Sequence, residues 1–198
     1  MPNWCSNHIS LTHDDPAMIK KVYDNYLAPL TALVPQPESI ASGCERLIDK
    51  DTSDNWYDWR IANWGTKWDI ELENIIVSSD GKTLTANFAS AWSPPIEAYE
   101  KLKEQGYKIS AFYSEMMMGF AGRFEDGMQE FIPSVNFEKD NWREAMSDEL
   151  ADYLESDFLQ WQDWTDAYAK EQARMDAQRD PLDNIEQELW YDTSAELE

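Results

Sequence analysis

Between Trp56 and Asp69 the chain packs Trp56, Trp59, Trp64, Trp68 and Tyr57 beside Arg60, Asn63 and Lys67. Aromatic rings next to Arg and Lys form cation–π contacts, and exposed rings stack flat ligands while a cation pairs an anionic group. Trp92 and Ser93 belong to the same chemistry, because a serine before Pro94 and an apolar run marks a helix start, where backbone N–H groups attract anions. The ligand-binding candidates are therefore Trp59, Arg60, Asn63, Trp64, Lys67, Trp92 and Ser93. The competing expectation is structural: the rings fix a short helix to a sheet while Arg60 and Lys67 pair with Asp58 and Asp69.

Other residue types give weaker signals. Cys5, His8 and His13 are metal ligands by type, but in a strand positions 5 and 13 face away from 8, so the three do not converge. Asp49 to Arg60 resembles a calcium loop only in part, with Asp54 where glycine is needed and Arg60 where a bidentate Glu belongs. There are two histidines, no Gly-x-Ser-x-Gly and no phosphate loop, so nucleophile–base catalysis has little support and whether the chain is an enzyme stays open, leaning to no. No cofactor and no metal is expected either.

The charge is unusual. The 198 residues hold 39 Asp and Glu against 16 Lys and Arg, a net of −23. Such a surface disfavours direct binding of nucleic acid or of an anionic membrane and favours a basic protein. The longest aliphatic run, Ile75-Ile76-Val77, is far too short to span a bilayer. Two cysteines do not make a disulfide framework, and Met-Pro-Asn-Trp-Cys is not a signal peptide, so the expected setting is the reducing cytoplasm.

Hydrophobic spacing predicts the elements that carry these residues. Asn7–His13 alternates as a strand. Asp15-Pro16 opens a helix with Met18, Val22, Tyr26 and Leu30 on one face. A short helix carries Trp56–Asn63 and closes at Gly65. A hairpin begins with the alternation Trp68, Ile70, Leu72, bulges near Ile75–Val77 and turns at Asp80-Gly81. Ser93-Pro94 opens a second helix ending at Gly106, followed by a strand over Lys108–Met116 and a hairpin about Asp126-Gly127. This order matches the split βαβ pattern, so the predicted class is α+β: a ferredoxin-like antiparallel sheet with extra C-terminal strands and an acidic helical extension.

Composition changes near Pro133, which sets the expected domains at 1–133 and 134–198. Residues 134–198 carry a net of −14. Asn141 and Glu144 resemble a capping box opening a long helix. Its apolar stripe holds Trp142, Met146, Leu150, Tyr153, Phe158, Trp161, Trp164 and Tyr168. Asp148, Glu149, Asp152, Glu155, Asp157, Asp163 and Asp166 crowd the rest and are the partner-binding candidates. The tail from about residue 180 has little core signal, and partial mobility is expected there.

Four stretches carry a family likeness. Met1–Asn7, Asn63–Asp69, Ala91–Pro95 and Gly119–Gly122 resemble the YubB-type ferredoxin-like family of phage, prophage and plasmid proteins over residues 1–133. The resemblance implies an accessory protein of a mobile element in a bacterial cytoplasm, and it brings no catalytic residues. The leading functional expectation is action by protein interaction. A host protein with a basic surface is the expected partner, and the acidic surface would mimic nucleic acid and inhibit a DNA-binding or defence protein. The alternative is a domain or enzyme for a small nucleotide-like ligand using Trp56–Asp69. Homo-oligomerisation through the helical extension is a third option.

Overall fold

The computed structural model describes residues 3–38, 40, 56–139 and 141–178. The partial calcium loop at 49–55, Cys44 and the tail from 180 lie outside the described residues.

Along the chain come β1 (Trp4–Thr12), α1 (Pro16–Asp24), α2 (Pro29–Leu33), α3 (Trp56–Trp64), β2 (Glu73–Val77) and β3 (Thr83–Ala91). Then follow α4 (Ile96–Glu104), β4 (Lys108–Glu115), β5 (Phe120–Glu125), β6 (Met128–Ile132), a 3₁₀ turn (Trp142–Ala145) and α5 (Asp148–Gln178). The six strands form one sheet in the order β2-β3-β1-β4-β5-β6, with every described pairing antiparallel. Its β2-β3-β1-β4 part is the split βαβ arrangement: each helical crossover carries the chain past one strand before it re-enters the sheet. The fold is ferredoxin-like α+β, extended by the β5–β6 meander.

Alternation in β1 decides which face is covered. Cys5, Asn7, Ile9 and Leu11 are buried, while Trp4 and Ser6 are exposed. Leu11 lies opposite Leu84 on one side and Ile109 on the other, so three aliphatic side chains form one rung of the core. Ile19 and Val22 of α1 and Tyr99 and Leu102 of α4 join the same cluster. Each such side chain contributes roughly 1.5–3 kcal/mol by leaving water.

Four local expectations are corrected. The first helix ends at Asp24 rather than reaching Leu30, because Asn25 closes it and Pro29 starts the separate α2. Residues 68–72 do not pair as strand; the Asp69 carboxylate instead accepts N–H bonds from Leu30, Thr31 and Ile70, and Leu72 N–H bonds Tyr26 O. Ser93 does not cap α4, whose first turn follows Pro95. The long helix starts at Asp148, not at Asn141: Asn141 and Glu144 bond to each other beside a 3₁₀ turn, and Glu130 of β6 fixes the real start by accepting both the N–H and the hydroxyl of Ser147.

The chain divides into two compact units, Met1–Tyr153 and Leu154–Glu198. The first turns of α5 belong to the first unit: Tyr153 stacks on Phe112 at 5.2 Å, and Glu149 lies 3.7 Å from Arg123. In the second unit Phe158 is half-buried and Tyr168 is exposed. The side chains of Trp161 and Trp164 lie outside the described ones.

One close approach in the sheet makes a sharp prediction. Gly122 sits opposite Tyr113 across β4 and β5, and a Cβ there would stand 2.3 Å from the Tyr113 hydroxyl and 2.5 Å from Glu130 O. Backbone cannot move aside cheaply, so Gly122→Ala is expected to cost about 1–3 kcal/mol by overpacking. A urea unfolding midpoint unchanged from wild type would contradict this.

Candidate functional site

Three stretches far apart in sequence meet at one end of the sheet. Trp4 begins β1, Lys67 and Trp68 follow α3, and Trp92 follows β3. Gly65 ends α3 with φ +79, its N–H bonding Arg60 O and Ile61 O, and turns the chain toward Lys67. Buried Thr66 then donates its hydroxyl to Ala91 O at 3.2 Å, tying this linker to the end of β3. Trp92 N–H bonds Asn3 O at 2.9 Å, which joins the third stretch.

The result is an exposed aromatic platform. Trp68 stacks on Trp92 at 6.3 Å with 27° between planes, and Trp4 lies 6.0 Å from Trp68. The three rings keep 52% (Trp4), 37% (Trp68) and 42% (Trp92) of their surface in water. The Lys67 ammonium stands 4.8 Å from the Trp68 ring centre and 5.3 Å from Trp92. Tyr57 is 5.9 Å from the same ammonium. Trp92 has φ +67, a left-handed backbone that a bulky residue adopts at a cost of roughly 1–3 kcal/mol. Strain of this kind concentrates where a side chain must be presented.

The sequence candidates separate into two groups. Lys67 and Trp92 belong to the platform. Trp64 does not: it is fully buried, with its indole N–H donated to Val34 O at 2.9 Å. Trp59 packs edge-on against Trp64 at 5.9 Å, and Asn63 donates back along its own helix to Trp59 O. Arg60 lies over Trp64 at 4.7 Å and Trp56 at 5.1 Å, donates its Nε–H to Gln36 Oε1 and bonds Lys67 O. Burial pulls the Arg60 guanidinium below its ordinary value and the Asp69 charge works against that. These groups brace the platform from behind. The Ser93 hydroxyl donates to Gly65 O at 2.6 Å and locks the turn, so it is not aimed at an anion.

Trp4 and Trp68 are platform residues that the sequence candidates omit. The signal for Trp4 was its strand parity, which sets it opposite buried Cys5 and Asn7. Trp68 gave no such signal, because its alternation with Ile70 and Leu72 mimics an inward strand face.

Cys5 and His8 point to opposite faces, and His8 bonds Asn87 at 2.7 Å. No group of three or more metal-ligating His, Cys, Asp or Glu occurs among the described residues. On α5, Asp152 pairs with Arg143 and Glu149 faces Arg123, whereas Asp148, Asp163 and Asp166 are exposed. Asp148 and Asp152 share a helix face in the first unit, and Glu155, Asp163 and Asp166 share one in the second. Glu155 and Asp157 are partly buried. Among the described residues no helix is long and apolar enough to cross a membrane.

Comparison with known proteins gives little beyond this. No family model matches the chain, and no curated protein matches it. A crystal structure of the protein api92 from Yersinia pseudotuberculosis, described under the family model DUF1281, is similar at a TM-score of 0.42 and 10% identity. The match covers 69% of this chain and 100% of that one.

Proposed function

We propose that this protein works by binding, and that the Trp4–Trp68–Trp92 platform with Lys67 recognises a flat anionic group of nucleotide type. The observation that carries this is the convergence of three exposed indoles and one ammonium from three separate stretches, held with a strained Trp92. Stacking a base on an exposed ring contributes roughly 1–3 kcal/mol, and a phosphate against an ammonium gains further from a charge-assisted bond. The net charge of −23 opposes an anion only locally, because charges beyond about 10 Å are screened at 0.1 M salt.

A thermal-shift titration with nucleoside monophosphates tests it, since a ligand that binds only the folded state raises the melting temperature. Lys67→Met is expected to weaken the binding about tenfold, the loss of one charge-assisted contact. No shift with any of the four common monophosphates would leave the rings as structure alone.

A second proposal rests on α5. Its 31 residues carry nine acids and two bases, and Asp163 and Asp166 stand exposed on one face. We infer a docking helix for a basic protein. Over the helix the acids average one per roughly 5 Å of rise, against about one charge per 1.7 Å for duplex DNA. That density favours a basic groove over close imitation of a duplex. The resemblance to mobile-element proteins gives the matching setting, an accessory protein in a bacterial cytoplasm acting on a host partner. A basic protein recovered at low salt by wild type, and lost with Asp163→Asn plus Asp166→Asn, would support it. Equal recovery by both would refute it. Self-association through α5 would appear in light scattering as a doubled mass.

A further inference from the structure

Next to the platform, and sharing Trp92 with it, lies a cavity of about 460 Å³ whose charged group is of the opposite sign. Its walls include Trp92, Tyr113, Phe120 and Phe131, and its polar groups include Glu97 and Gln129. Phe120 stands 5.9 Å from Phe131, and these two rings with exposed Trp92 line the opening, while fully buried Tyr113 backs Phe120 at 6.4 Å. The Tyr113 hydroxyl already accepts a bond from the Gln129 amide at 2.7 Å, which orients both. That ring lies where it does because Gly122 leaves room for it.

Glu97 completes the site. It stands in the first turn of α4, and its carboxylate rests against Gly65, where a Cβ would be 2.0 Å from Oε2. Among the described residues the Glu97 carboxylate makes no hydrogen bond or ion pair. A solvent-facing carboxylate at the rim of an aromatic-walled cavity, with no cation among the lining groups, is a complement to one class of ligand. Ring faces attract a cation, and the carboxylate adds Coulomb attraction that a neutral molecule does not gain.

We propose that this cavity binds an alkylated ammonium group. An anion is repelled there by Glu97, and a neutral ligand of the same shape gains only the apolar walls. The site does not depend on the nucleotide proposal, whose charge is supplied by Lys67 on the platform.

Calorimetric titration with choline and with its neutral isostere 3,3-dimethylbutan-1-ol tests the inference on the full chain. Choline is expected to bind saturably and at least about fivefold more tightly than the isostere. Glu97→Gln, at an exposed position that the fold does not need, is expected to remove most of that preference. The isostere's affinity is expected to stay the same. Phe120→Leu is expected to weaken choline while a matching urea midpoint shows the fold intact. Lys67→Met removes a cation 5.3 Å from the Trp92 ring and is expected to leave choline bound at least as tightly while weakening a nucleoside monophosphate, which separates the two sites. Equal affinity for the two compounds, no saturable choline binding, or an unchanged preference in Glu97→Gln would each overturn the proposal.

Discussion

Trp64→Ala is expected to destabilise the protein by about 3–5 kcal/mol, the cost of emptying a fully packed indole site. The ring has no surface in water and belongs to the main apolar cluster. Trp59 packs on its edge, and the Arg60 guanidinium lies 4.7 Å from its centre. The substitution also strands Val34 O, which now accepts the indole N–H. A buried acceptor without a partner adds about 1–3 kcal/mol. A domain of this size has roughly 5–15 kcal/mol in total, so a large share of its stability hangs on one side chain. Trp64→Phe keeps most of the ring and is expected to cost only about the lost hydrogen bond and a small void, roughly 1–3 kcal/mol. Urea unfolding measures both. If Trp64 were a ligand residue, truncation would instead stay within about 0.5 kcal/mol, as at ordinary surface sites.

Alkaline conditions are expected to destabilise the protein steadily above about pH 9. Burial pushes the Cys5 thiol up to about 12 from 9.0, with the Glu115 charge adding to the rise and hydrogen bonds from Ser90 and Asn7 opposing it. Burial likewise pushes Tyr107 up to about 12, and raises Tyr99 and Tyr113. In the unfolded chain these groups ionise at their ordinary values, so the unfolded state loses protons first as pH rises. The stability they contribute is whole below about pH 9 and drains away between about 9 and 12. For Cys5 alone three pH units correspond to about 4 kcal/mol. The urea midpoint is therefore expected to fall steadily from pH 9 to 11. A Cys44→Ser variant is expected to show no thiol reaction at pH 8 until it is unfolded, because the Cys5 sulfur is buried and protonated. A flat stability profile to pH 11 would contradict the first expectation, and rapid native labelling of Cys5 the second.

The sheet was legible because its signals are local and agree with each other. Ile9 and Leu11, Leu84 to Phe88, and Ile109 to Tyr113 alternate inward along their strands as the sequence predicts. The Asp126-Gly127 turn has positive φ at both residues, as its composition demands. Asp69 was not legible. Its alternation with Ile70 and Leu72 reads as strand, yet the carboxylate serves as a cap for α2 from thirty-eight to thirty-nine residues away. No spacing rule sees such a long-range acceptor.

The candidate site divided in the same way. The aromatic segment was visible as a composition, but which rings face water depends on tertiary packing. Trp64 and Trp68 are four apart and differ from fully buried to one-third exposed, because Gly65 turns the chain between them. The cavity was invisible, since Glu97, Tyr113, Phe120 and Phe131 meet only when α4, β4, β5 and β6 are assembled.

The most direct test follows the ten indole N–H signals by two-dimensional NMR while adenosine monophosphate is added. If the platform is the recognition surface, the signals of Trp4, Trp68 and Trp92 move saturably and together, that of buried Trp64 stays in place, and Lys67→Met shifts the whole titration to higher ligand concentration. If those three indoles stay still while others move, or if none of the ten responds, the platform is not where this protein meets its ligand.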